Sequence, residues 1–240
     1  MDKRFVALYR GFTKTPEGYE VKFIQNGREV TEKTRVIIGA DGAFSRIRKS
    51  ICNDKNTPET YIAIQEWFEA ADNISYFTAI FDEEISDFYS WIIPKEKCLL
   101  LGSALTPKDN AGDKIDSLKA KLKRYGFNFD NKIKTEGAYI YRPKQTSQLF
   151  AGKDNIALVG EAAGAISPSS AEGISYALKS SLYLAQSLEE GLNGFLKRYN
   201  DKLEDIKLNI LIKNLKCPAM YNHFLRYCIM KSGIQSITRI

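Results

Sequence analysis

Two stretches of this sequence share one pattern, a short and continuously apolar run that stops at glycine and gives way to small residues. The first is Val36-Ile37-Ile38-Gly39-Ala40-Asp41-Gly42 and the second is Ile156-Ala157-Leu158-Val159-Gly160-Glu161-Ala162-Ala163-Gly164. An apolar run of this length without alternation reads as a strand buried on both faces, as in a sheet covered by helices. Helix-start signals follow each run. Ser45 is an N-cap candidate ahead of Arg46 and Arg48, and Pro168, Ser169, Ser170 and Gly173 stand around the start of a helix expected over 172–190, which Gly191 can terminate. In that helix Ile174, Ala177, Leu178, Ala185 and Leu188 share a face. The chain is therefore expected to contain two strand–turn–helix corners, far apart in sequence.

The remainder reads as β before the middle and helical at the end. Residues 4–11 are expected to form a strand. Tyr19, Val21 and Phe23 alternate with polar residues, and Asn26-Gly27 then precedes Arg28 to Thr31, a strong hairpin signal because a type I′ turn needs positive φ at both central positions. Residues 61–68, 75–81, 88–93 and 98–105 are rich in aromatic and β-branched residues. Turn-like stretches at 82–84 and 94–97 separate them. Four such strands in series predict an antiparallel sheet with one face free to meet a ligand. Ile115, Leu118 and Leu122 predict a helix over 114–125, and 133–150 is expected to be extended. Residues 195–240 read as helical, with Leu203, Ile206 and Ile210 as one stripe and Pro218 as a break.

Composition narrows the functional classes. The 240 residues are 44% hydrophobic and 27% charged, which excludes disordered and collagen-like chains. Lys and Arg number 35 against 29 Asp and Glu, a formal charge of +6 that permits acidic partners without requiring them; because the signs are interspersed, it reads as a solubilising surface. No nucleic-acid partner is expected, since clustered Arg–aromatic patches are missing. Cys52, Cys98, Cys217 and Cys228 show no CxxC spacing, which fits reduced thiols in the cytoplasm. The single histidine, His223, rules out a His-rich metal site and makes a Ser-His-Asp triad a poor fit. No export signal opens the chain and no run approaches the roughly 20 apolar residues of a membrane span.

The chemistry concentrates at the two corners. Glycines at the first let a ligand approach the backbone closely, and its arginines suit phosphate oxygens. At the second, small side chains expose backbone amides ahead of a helix N-terminus, which carries about half a positive charge and favours an anion or a polarised oxygen. Ordinary packed βα turns remain the other reading of both.

The same residues resemble a known family. Gly39-Ala40-Asp41-Gly42 with Ser45 and Arg48 resembles the "DG" motif of group A flavoproteins of the p-hydroxybenzoate hydroxylase type, and Gly160-Glu161-Ala162-Ala163-Gly164 with Pro168 and Glu172-Gly173-Ile174 resembles their second FAD motif. Tyr89-Ser90-Trp91-Ile92-Ile93-Pro94, followed by Gly102, is similar to the YxWxFP…GxG substrate motif of the geranylgeranyl reductase branch. The resemblance covers roughly residues 4–200. It implies an α+β chain derived from an α/β fold, a truncated group A flavoprotein: an incomplete FAD-binding lobe (1–55 and 150–190), an antiparallel substrate-binding sheet (56–149) and a C-terminal helical region (191–240). It implies FAD contacts at Asp41, Gly42, Arg48, Gly160, Glu161, Ala165, Ser167, Pro168, Gly173 and Ile174. Glu161 would meet the ribityl hydroxyls, Asp41 and Gly42 would lie by the pyrophosphate and ribityl chain, and Ala165, Ser167, Pro168 and Gly173 would lie near the flavin pyrimidine oxygen. Tyr89, Trp91 and Pro94 would line a substrate cavity. Trp67 joins them as a candidate that serves equally as a core aromatic. No protein acid or base stands out as catalytic, which suits flavin chemistry.

The departures carry information. Glu161 stands where the family usually has Asp, Ala171 where many members have Gly, Ile93 in place of the Phe and Ala104 in place of the second Gly of the substrate motif. GxGxxG occurs nowhere in the chain, so the βαβ unit that holds the ADP half of FAD is expected to be lost, removed or supplied by another chain, and FAD to bind weakly or not at all. The expected function is an FAD-dependent oxidoreductase that reduces isoprenoid C=C bonds of a hydrophobic substrate, with NAD(P)H or ferredoxin as reductant. The alternatives are a monooxygenase on the same scaffold and a non-catalytic fragment that binds a lipophilic ligand or partner. Lys202, Lys207, Lys213 and Lys216, interleaved with Leu and Ile, allow a membrane-surface helix as well as a solvated basic face. An exposed apolar patch that drives oligomerisation is expected where the missing unit would dock.

Overall fold

A computed structural model describes residues 6–52, 56–69 and 76–233. The chain divides into two compact units, 1–59 with 141–214 and 60–140 with 215–240. Arg4 and Ser75, at the starts of two expected strands, and the last seven residues of the expected helical segment lie outside the described residues.

The first unit opens with an antiparallel sheet of β1 (Ala7–Thr15), β2 (Gly18–Gln25) and β3 (Arg28–Thr34). Asn26 and Gly27 take φ of 51° and 75°, the turn their pairing predicts, and set the register from Gln25↔Arg28 to Tyr19↔Thr34. A second sheet holds the corners. Its order is β10 (Gly152–Lys153), β11 (Ile156–Leu158), β4 (Ile37–Gly39), with β11 and β4 parallel. Gly39 is obligatory here: a Cβ would sit 2.6 Å from Leu158 Cδ2 and 3.2 Å from Ile47. Helices α1 (Arg46–Ile51), α3 (Ile174–Glu189), α4 (Phe195–Lys202) and the first part of α5 (Glu204–Tyr221) complete the unit. Leu203, Ile206 and Ile210 enter its core with Ile156, Leu158, Leu184 and Tyr199, as their spacing predicts. The Tyr199 hydroxyl donates to the Leu158 carbonyl at 2.8 Å, which ties α4 to the end of β11.

Two helical expectations need correcting. In α3 the buried side chains are Tyr176, Ser180, Leu184 and Ser187, whereas Ile174 and Leu178 are exposed. The reason is close approach. The Gly160 N–H donates to Ser180 Oγ at 2.9 Å, and that Oγ donates to the Ala177 carbonyl, so a small hydroxyl is needed where a leucine would hold the helix off. Pro218 does not end its helix, since α5 runs on to Tyr221. Proline removes one donor, the Asn222 N–H still bonds the Pro218 carbonyl, and the chain turns at Asn222, whose side chain caps α6 (His223–Ser232) by accepting from the Leu225 N–H.

The second unit is built on a five-stranded sheet, β6 (Thr78–Ile80), β7 (Ser90–Lys95), β8 (Cys98–Leu105), β5 (Glu59–Glu69) and β9 (Lys132–Arg142), in that order. The run expected over 98–105 is β8 as it stands, β5 is longer than expected by a few residues, β6 is shorter and β7 is shifted, and the extended stretch predicted over 133–150 closes at Arg142. Helix α2 (Ala111–Lys123) lays Ile115, Leu118 and Leu122 against Phe68, Ile92, Leu99 and Leu101 on one face. On that face the buried Glu66 carboxylate is held by Lys119 and Lys132, each at 2.9 Å, and these cations keep it ionised below the usual carboxylate range against the opposing cost of burial. The opposite face carries Trp67, Tyr89 and Trp91, and the expected antiparallel pairing is present.

Candidate functional site

The corner of the first unit is assembled by strand pairing. Leu158 lies beside Gly39, and the Val159 N–H donates to the Gly39 carbonyl at 2.9 Å, so the two glycine-bounded turns leave the sheet side by side at the carboxyl ends of adjacent parallel strands. Such ends are where open α/β sheets take ligands. Ala43 from the first turn and Ile166 from the second then meet on Tyr141 in one buried cluster.

Asp41 and Glu161 do different things there. Both oxygens of Asp41 serve α1: Oδ1 accepts from Ser45 Oγ at 2.6 Å, and Oδ2 accepts from the N–H groups of Arg46 and Ile47 at 2.8 and 3.4 Å. Ser45 in turn accepts from the Arg48 N–H at 2.8 Å, the N-cap its position predicts. Glu161 sits in a short 3-10 turn, Gly160–Ala163. Its Oε1 accepts from the Tyr141 N–H at 2.7 Å, and Oε2 has no partner among the described residues. Burial pushes the Glu161 carboxyl above its ordinary value, with the Tyr141 N–H opposing. The Tyr141 phenol is also raised, first by burial and then by the nearby Glu161 and Asp41 charges, against the opposing charge of Arg48.

Arg48 is placed inward. It is 1% exposed, and its guanidinium donates to the carbonyls of Ala162 at 3.1 Å, Asn56 at 3.1 Å and Gln148 at 2.8 Å. It ties the first helix to the second turn and has no face toward a ligand. Gly42, at φ 73°, leaves open space where a Cβ would stand. Ala165 and Ser167 are wholly buried and Pro168 is buried. Their loop is closed on itself, with the Ala165 N–H donating to Gly160 O and the Ser167 N–H to Glu172 O. The amides expected to be exposed at the second corner are therefore largely engaged. Gly173 is the N-cap of α3 and brings no side-chain bond, while Ile174 is 77% exposed at its first turn. The mouth of α3 already holds an acid, because Glu172 accepts from the Ser175 N–H at 2.9 Å and from Ser175 Oγ at 3.0 Å. Ala171, at φ 50°, occupies a left-handed position that glycine would take without strain.

The substrate candidates lie in the second unit. By register Trp91 faces Gly102, which faces Gln65, so Tyr89, Trp91, Gln65 and Trp67 share the face away from α2. Gly102 is required by that stack, since a Cβ there would lie 2.4 Å from the Trp91 ring. Pro94 falls on the other face and is not brought to Tyr89 and Trp91. The Trp67 Nε1–H donates to Glu136 Oε2 at 2.8 Å, and Lys134 Nζ stands 4.2 Å from the Trp67 ring centre. A cavity of about 280 Å³ is lined by Ala63, Gln65, Trp91, Glu136, Gly137 and Ala138. A wider cleft of about 610 Å³ between β6 and α2 is lined by Ile80, Leu118, Leu122 and Arg124 and by none of the FAD or substrate candidates. Sequence reading missed Tyr141, Gln148 and Ser180. Only Ser180 carried a signal, as a serine four residues after Tyr176 on the face that could approach Gly160 closely.

No protein-family model matches the chain. In sequence it is 35% identical over 237 residues to protein CbrA of Escherichia coli O6:H1, which covers 98% of this chain and 63% of that protein; CbrA of strain K12 is also 35% identical, with 98% and 66% covered. The chain thus spans 63–66% of the length of these relatives. Solved structures share its fold. The geranylgeranyl bacteriochlorophyll reductase-like protein of Thermoplasma acidophilum superposes with TM-score 0.68 at 16% identity, covering 95% of this chain and 66% of that one. Tetracycline destructase Tet(51) gives 0.64 at 15% identity, with 98% and 69% covered. HpxO of Klebsiella pneumoniae complexed with FAD gives 0.62 at 17% identity, with 94% and 63% covered. The chain is thus similar in sequence to the CbrA proteins and shares the α+β fold of these solved proteins, one of them complexed with FAD.

Proposed function

We propose that this chain holds the isoalloxazine and ribityl portion of FAD at the β4–β11 corner and acts as an FAD-dependent oxidoreductase on a hydrophobic substrate, reducing isoprenoid C=C bonds. The pairing of Leu158 with Gly39 carries this reading, because it sets the Asp41 and Glu161 turns next to each other at a strand-end ligand position. FAD, when bound, supplies the hydride transfer. The protein groups fit its ribityl part: Glu161 is held by Tyr141 through one oxygen and offers the other to a hydroxyl donor, while Ala162 and Ala163 put no long side chain in the way. The mouth of α3 favours a negative flavin edge only when Glu172 gives up its bonds to Ser175. Tyr89, Trp91 and Trp67 supply an aromatic face suited to a polyprenyl chain. A monooxygenase on the same scaffold is the second reading, favoured by a fold shared with a probable FAD-dependent monooxygenase of Pseudomonas aeruginosa (TM-score 0.63, 16% identity).

The test is anaerobic. The 240-residue chain is mixed with dithionite-reduced FAD and a polyprenyl substrate. Oxidation of the flavin with a product gaining two hydrogen atoms supports the reductase. In a parallel mixture opened to air, a product that gains oxygen, with none formed anaerobically, replaces it with the monooxygenase. Failure of the chain to retain FAD or to turn over at saturating FAD rejects both.

A further inference from the structure

Helix α5 is apolar on two opposite sides. Ile206 and Ile210 are buried, at 2% and 0% exposure, whereas Leu208, Leu211, Ile212 and Leu215, spaced i, i+3, i+4 and i+7, form a second stripe about half a turn away with Leu208 57% and Leu215 74% exposed. Helix α6 buries no side chain at all, yet Phe224, Tyr227 and Met230 are among its ten residues. A helix this short with nothing buried is marginal in water on its own.

Charge says what covers these surfaces. From Ile206 to the end of the chain there are six cations, Lys207, Lys213, Lys216, Arg226, Lys231 and Arg239, and no Asp or Glu. This segment therefore carries the whole formal charge of +6, and residues 1–205 are neutral overall. A second copy docked by a twofold contact on this surface would set two such segments against each other. A nucleic acid would satisfy the cations and leave the leucines in water. Exposed Leu, Ile, Phe and Met beside Lys and Arg, with no acid among them, match the apolar and anionic layers of a lipid surface. Lys216 is exposed and makes no ion pair among the described residues. No described helix is long and apolar enough to cross a membrane, which leaves contact in the plane of the surface for these helices.

We propose that the outer stripe of α5 is a docking surface for an anionic lipid bilayer. The test is co-sedimentation of the 240-residue chain with vesicles of phosphatidylcholine alone and of phosphatidylcholine with phosphatidylglycerol. The expected result is pelleting with the anionic vesicles and not with the neutral ones. Leu211→Asn with Leu215→Asn should lower partitioning about tenfold, and Lys216→Ala about fivefold. Both changes fall on exposed residues, and an unchanged thermal melt confirms the fold. Equal binding to the two kinds of vesicle, no binding to either, or wild-type binding by both variants would overturn the proposal. So would a stable dimer in sedimentation equilibrium that the leucine pair abolishes, which would show that a second copy is the occupant.

Discussion

Asp41 and Glu161 occupy equivalent places, each two or fewer residues past a glycine at the end of one of two paired parallel strands, and yet they are chemically unlike. Asp41 is exposed, and both of its oxygens are engaged by Ser45 and the first amides of α1. Glu161 is partly buried and uses one oxygen. An acid with both oxygens engaged locally organises its own turn, and an acid with one oxygen unengaged in a sheltered place is available to a ligand. Position in a motif does not separate these roles, whereas the hydrogen-bond inventory does.

That contrast can be broken in order of size. The largest effect belongs to Arg48, which joins the two turns. Arg48→Met strands the buried Ala162 carbonyl and the partly buried Asn56 and Gln148 carbonyls and should cost about 3 kcal/mol in urea unfolding; a loss below about 1 kcal/mol would mean that the corner does not depend on this tie. Asp41→Ala removes a helix cap and should cost about 1–2 kcal/mol, with flavin affinity changing only as far as the turn loosens. Glu161→Gln is the converse. It should leave stability at neutral pH unchanged or slightly raised, and weaken flavin binding about tenfold, as loss of a charged hydrogen-bond acceptor does. Its signature is pH dependence. Burial raises the folded carboxyl above its unfolded value of about 4.3, so between the two the folded state holds a proton that the unfolded chain has lost. The Glu161 contribution to stability therefore falls as pH rises through that window, and the slope should vanish in Glu161→Gln. The smallest effect is Ala171→Gly, which relieves a left-handed backbone and should stabilise by up to about 1 kcal/mol after the entropic cost of glycine.

Much of this arrangement was legible in the sequence. The corners announce themselves because a strand covered on both faces cannot alternate and because Gly39 must be small for β11 and α1 to approach. The Asn26-Gly27 hairpin and the Leu203/Ile206/Ile210 stripe follow from local rules that tertiary structure had no reason to override. The buried side of α3 was not legible. Ile174 and Leu178 make the more apolar stripe, but the packing distance to Gly160 selects the one with Ser180 and Ser187. The inward turn of Arg48 was hidden too, since it depends on carbonyls 100 and 114 residues away in the chain. Pro94 was misplaced by treating a linear motif as one surface, when alternate residues of a strand point to opposite faces.

The account rests on the two corners receiving one flavin. Riboflavin has the isoalloxazine and ribityl parts and no phosphate, so its titration into isotope-labelled protein, followed by amide NMR, isolates that claim. Shifts that saturate together at Tyr141, Glu161, Ala162, Ala163 and Gly42, and that weaken about tenfold in Glu161→Gln, are the predicted result. Amides of these residues that stay still at saturating riboflavin, or that move no differently in Glu161→Gln, would contradict it.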